Sequence, residues 1–155
     1  MRQRSELRSH ALWRVHFSLY MRRGHPLSAG PIDFDEFLQA RHIDYRTRGM
    51  TAGVYDQILA SRGFARNLVL TLQSYQQALA IVAASDCVAI LPTSLMDTSY
   101  YASSLVAVET PIPVPPRTMW VVWRPRDALN PAHAWLRSVT ISLFESADLA
   151  DGGSK

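Results

Sequence analysis

The chain has 155 residues, with one cysteine, Cys87, and one lysine, Lys155. A lone thiol cannot close an internal disulfide, which suits a reducing compartment and leaves stability to the packed core. No apolar run approaches the ~20 residues that span a bilayer. Catalytic signatures are missing as well. The sequence contains no G-x-S-x-G elbow, Walker-type glycine loop, H-E-x-x-H, paired C-x-x-C or G-x-G-x-x-G. Its five histidines, His10, His16, His25, His42 and His133, offer no i, i+4 pair to hold a metal on a helix face. These absences argue against an enzyme, a bound cofactor or metal, and a membrane partner. Asp33, Asp35 and Glu36 read as acids complementing a helix N-terminus, not as an acid/base pair.

What is present is ordinary globular material: 48% apolar and 19% charged residues in a length that makes one core-bearing domain. The net charge is +3, and 15 of the 16 basic residues are arginine. Apart from a cluster at Arg2, Arg4, Arg8, Arg14, Arg22 and Arg23, they are spread along the chain. Binding to a phosphate backbone needs many such side chains on one face. No element presents them, so no direct DNA binding is expected of this chain.

The N-terminus alternates. Trp13, Val15, Phe17, Leu19 and Met21 fall on one side; Arg14, His16, Ser18, Tyr20 and Arg22 fall on the other. Period two marks a half-buried strand, not a presequence helix or a secretory core, and the reading is a mature cytoplasmic protein. Gly24, Pro26, Gly30 and Pro31 then make a turn-rich connection, and Asp33 with Glu36 opens a short helix carrying Phe34, Phe37 and Leu38. His42–Tyr45 is a strand. Thr51 is the expected cap of the next helix, with the stripe Val54, Tyr55, Ile58, Leu59 and a stop at Gly63. Further on come a short helix around residues 93–102, a strand at Leu105–Val108, the extended proline run to Pro116 and a strand at Thr118–Trp123. Asn130-Pro131 starts a helix with an apolar stripe of Trp135, Leu136, Val139 and Leu143.

The most informative stretch is Leu70–Pro92, which reads as strand, capped helix and strand. Ser74 and Gln77 have capping-box spacing, and Leu79, Val82 and Ala83 recur at helical intervals. Cys87–Leu91 is apolar without alternation, the mark of a strand covered on both faces in a parallel sheet. Ligands of open α/β sheets gather beyond the carboxyl ends of such strands, beside helix N-termini.

Five segments in order carry a resemblance: Arg22-Arg-Gly-His-Pro-Leu27, Ser74–Ala84, Val88–Pro92, Trp123-Arg-Pro125 and Asn130–Arg137. Together, from about Trp13 to Phe144, they resemble the effector-binding domain of LysR-type transcriptional regulators. The resemblance implies an α/β, periplasmic-binding-protein-like (type 2) fold, with a nearly complete second lobe and an incomplete first lobe. It divides the chain into a tail and crossover strand (1–23), a lobe-two subdomain (24–109), a return crossover with first-lobe strand and closing helix (110–147), and a polar tail (148–155). The family's winged helix-turn-helix and linker helix have no counterpart here, so a truncated sensing module is expected. The alternative is a non-sensing fragment that pairs with itself or with a full-length regulator. By the same resemblance, a small anionic or aromatic effector would meet Tyr45, Arg46, Thr47, Arg48 and Thr51, with Ser74 and Tyr75 near the same cleft. His25 and His133 are assigned to structure.

Overall fold

In the computed structural model, residues 7–46 and 52–151 are described. They form two compact units, one from His16 to Pro115 and one combining the segment up to Val15 with that from Pro116 onward. The division falls at His16 and Pro116, where the sequence reading expects boundaries at residues 24 and 110.

The expected single strand from Trp13 to Met21 is two strands. β1 (Arg8–Val15) pairs antiparallel with β7 (Arg117–Trp123), whereas β2 (Phe17–Arg22) sits inside the other unit's sheet. Alternation continues through both, so nothing local reports that the partners change at His16.

The His16–Pro115 unit is built on a five-stranded sheet in the order β4 (Leu68–Leu72), β3 (Arg41–Tyr45), β5 (Cys87–Pro92), β2, β6 (Leu105–Val108). β3 runs parallel to β4 and β5, and β2 is antiparallel to β5 and β6. β4, helix α3 (Tyr75–Ala83) and β5 form the expected βαβ unit, whose crossover spans β3. One face of the sheet, with Tyr20, Ile43, Ala89, Leu91 and Leu105, packs on Ala78, Leu79 and Val82 of α3. The other, with Leu19, Met21 and Val88, packs on Leu27, Phe37 of α1 (Phe34–Gln39), and Tyr55 and Leu59 of α2 (Val54–Ala60). Tyr20, on the polar side of the alternation, is wholly buried because β2 lies between two strands with both faces covered. Its hydroxyl reaches the Pro92 and Thr93 carbonyls at 2.9 and 2.8 Å, and burial pushes its pKa up to about 12.

Several local signals hold. Asp33 accepts from the Asp35 and Glu36 amides, and Ser74 from that of Gln77. Gly63 has φ +79° and ends the turn after α2, its N–H bonding to the Ala60 carbonyl. The α2 cap differs from expectation. Gly53 occupies that position, its N–H donating to the Asp56 carboxylate at 3.3 Å, and Thr51 lies outside the described residues. His25 is buried and structural, with Nδ1 accepting from the Leu27 amide at 3.1 Å.

In the other unit, α4 (Leu95–Thr98) having closed the helices of the first, α5 (Pro131–Asp151) lies against β1. Asn130 Oδ1 caps it through the Ala132 and His133 amides, and Phe144 stacks on Trp13 with ring centroids 4.2 Å apart. The expected packing stripe turns outward: Trp135, Leu136 and Leu143 are all exposed. A two-stranded ribbon covers only a narrow strip of the helix, and the strip it covers includes Phe144.

Candidate functional site

Strand alternation sorts the side chains at the carboxyl end of β3. His42 and Asp44 face α1 and α2; Ile43 and Tyr45 face α3. On the α3 side, Tyr45 stacks on Tyr75 with centroids 3.9 Å apart and planes at 27°. Ser74 caps α3 immediately before Tyr75, so three of the expected site residues meet at one edge of the sheet. β3 and β4 are parallel, and the Arg46 amide extends their ladder by donating to Leu72 O at 2.9 Å. The edge thus combines a helix N-terminus, two phenol rings and a short hydroxyl side chain, suited to a small polar ring or acid.

Arg46 goes elsewhere. Its side chain turns to the Asp44 side, donating from Nε to Asp44 at 2.6 Å and from Nη2 to Asp56 at 2.9 Å. Arg66, whose side chain is only 1% exposed, bonds the same two acids, Asp56 at 2.7 Å and Asp44 at 3.0 Å. The four groups close into a ring of balanced charge. Burial pushes the Asp56 carboxyl up, but the Arg66 bond and charge, the Gly53 amide and the Arg46 charge together outweigh this and hold it below the ordinary carboxylate range. The Asp44 bond holds the Arg46 guanidinium above its usual value. Gly53 is tight against this ring: a Cβ there would come within 2.5 Å of Asp44 Oδ2.

Thr47, Arg48 and Thr51 lie outside the described residues. Sequence reasoning missed Asp44, Asp56, Arg66 and Gly53. The usable signal was Asp44, an acid set between Ile43 and Tyr45 in a short, largely buried strand, since a buried carboxylate requires a partner. Among the described residues, no cluster of three His, Cys, Asp or Glu could hold a metal, and no helix is long and apolar enough to cross a membrane.

The family model for the LysR substrate binding domain matches residues 2–143. The chain belongs to that family. Among the LysR proteins it resembles is the HTH-type transcriptional activator NahR of Pseudomonas putida, 23% identical over 129 residues, covering 83% of this chain and 43% of NahR. PA0477 of Pseudomonas aeruginosa, described as a probable transcriptional regulator, superimposes with a TM-score of 0.78 at 24% identity, covering 90% of this chain and 45% of that one. The effector binding domain of QuiR, in complex with shikimate, gives 0.71 at 13% identity, with 94% of this chain and 69% of that one covered. The fold is therefore the α/β, periplasmic-binding-protein-like type 2 fold of LysR effector domains. The chain spans less than half the length of the curated LysR relatives it matches.

Proposed function

We propose that this chain is the effector-sensing module of a LysR-type transcriptional regulator, and that a small aromatic or anionic molecule binds at the Tyr45–Tyr75 edge. The observation that carries this reading is the stack of those rings at the carboxyl end of β3, beside the Ser74-capped start of α3. A ring-bearing carboxylate matches both halves of that chemistry, and shikimate, bound by the QuiR domain, is one such molecule. Thr47, Arg48 and Thr51 are proposed as further contacts from the family resemblance. Arg46 is assigned to holding the edge, since its charge is balanced by Asp44 and Asp56.

The protein is proposed to act in the cytoplasm and to associate with itself or with a full-length regulator. No direct DNA contact is proposed for this chain. The alternative of a non-sensing oligomerisation fragment draws only on the exposed apolar side chains around β7 and α5, and we do not adopt it.

A thermal-shift series with shikimate, benzoate and related acids tests the proposal. A ligand at 100 times its dissociation constant adds about 2.7 kcal/mol of stability. The melting temperature should rise with dose, and Tyr75→Ala should abolish the rise. A folded protein whose melting point no acid moves would end the proposal.

A further inference from the structure

We propose that the Asp44–Arg46–Asp56–Arg66 ring holds Tyr45 in place, so that Arg66 and Asp56 act as positioning residues for effector affinity. This rests on the reading of the Tyr45–Tyr75 edge as the effector site. Tyr45 lies between two ring members in sequence, Asp44 and Arg46, whose side chains are gripped on the face opposite its own. Fixing residues on both sides of a strand position fixes the direction of the side chain between them. The ring also joins three elements: Asp44 and Arg46 at the exit of β3, Asp56 in the first turn of α2, and Arg66 on the approach to β4.

Each arginine bridges both acids with two different nitrogens. A guanidinium can do this in fixed geometry and an ammonium cannot. Asp56 further accepts the Gly53 amide, so Arg46 and Gly53, the two stems of the β3–α2 connection, hang on one carboxylate. Gly53 is the residue the space allows there, because a Cβ would strike the Asp44 carboxylate. The Arg66 side chain is buried over the ring of Tyr55, 5.6 Å from the centroid.

The test compares the full chain with Arg66→Lys, which keeps the charge but not the double bridge, and with Gly53→Ala, which crowds Asp44 without altering any charge. Amide hydrogen exchange is read at Arg46, and at Gly53 in Arg66→Lys, with Leu79, Val82 and Ala89 as controls. Affinities for shikimate and benzoate are measured alongside. We expect exchange at the stem amides to rise at least tenfold while the controls stay within twofold, and the bound probe to be held at least tenfold more weakly. Equal acceleration at the controls would show that the ring only stabilises the unit as a whole. Unchanged stem exchange, or undiminished affinity despite faster exchange, would overturn the proposal. Should neither probe bind the wild-type chain, the effector reading falls and takes the affinity claim with it. The exchange pattern still decides whether the ring positions these stems.

Discussion

Among the described residues, the sixteen buried apolar side chains, from Leu19 to Leu105, belong to the unit spanning His16–Pro115. The unit of β1, β7 and α5 has none among its described residues, and Met119, Trp120, Val122, Leu129, Trp135, Leu136 and Leu143 are exposed there. Secondary structure is regular in both. What separates them is the number of covered faces: five strands with helices on both sides enclose two core layers, while two strands and one helix enclose little. The first unit can therefore hold charged groups out of water in a defined ring, which needs a rigid surround. The second leaves its large apolar side chains exposed.

The widest contrast should come from paired truncations. Phe37→Ala, in the first unit's core, is expected to cost about 3–5 kcal/mol. Trp135→Ser, in the second, should stay within about 0.5 kcal/mol in the same urea titration and reduce binding of a hydrophobic dye. Comparable losses would erase the distinction.

Removing one member of the ring tests the enclosed charges. Arg66→Ala leaves two acids without one of their bridges, and about 3–5 kcal/mol of destabilisation is expected by equilibrium unfolding. A loss below about 1 kcal/mol would mean that water reaches the ring.

His42 gives the first unit a pH dependence of its own. The imidazole is fully buried, with Nε2 donating to the Phe37 carbonyl at 2.6 Å, and burial lowers its pKa from 6.5 to about 4. The unfolded chain therefore takes up the proton first. The contribution is fully present above pH 6.5, declines as pH falls, and is spent near pH 4. At 1.36 kcal/mol per pH unit this amounts to about 3 kcal/mol. A His42→Gln variant should show a correspondingly flatter stability profile across that window, and an unchanged profile would refute the buried neutral state.

The smallest expected effect compares two helix caps. Ser74→Ala should cost about 1 kcal/mol, because α3 is integral to the cooperative core. Asn130→Ala removes the cap of α5 and should lower helix content by circular dichroism with little change in the main unfolding transition. Equal shifts of that transition would show the two units unfolding as one.

The order of elements after the break at His16, the caps at Asp33, Ser74 and Asn130, the stop at Gly63 and the two-sided burial of β5 were all legible in the residues. Each is decided within a few positions, by a side chain meeting a nearby amide or by a periodicity of two or 3.6 residues. The grouping of Tyr45, Ser74 and Tyr75 was legible too, through the resemblance. The ring around Arg46 was not, since Asp56 and Arg66 reach it from ten and twenty residues further along the chain.

Residue patterns settle most of the helices and strands, and composition settles that they pack around an apolar core. Tertiary structure alone decided that the strand pattern through His16 is shared between two sheets, that Tyr20 is interior, that α5 turns Trp135 outward, and that Arg46 closes a ring. The physical reason is range. Local conformation follows from neighbours a few bonds away, whereas burial and charge pairing depend on partners that meet only after the chain has folded.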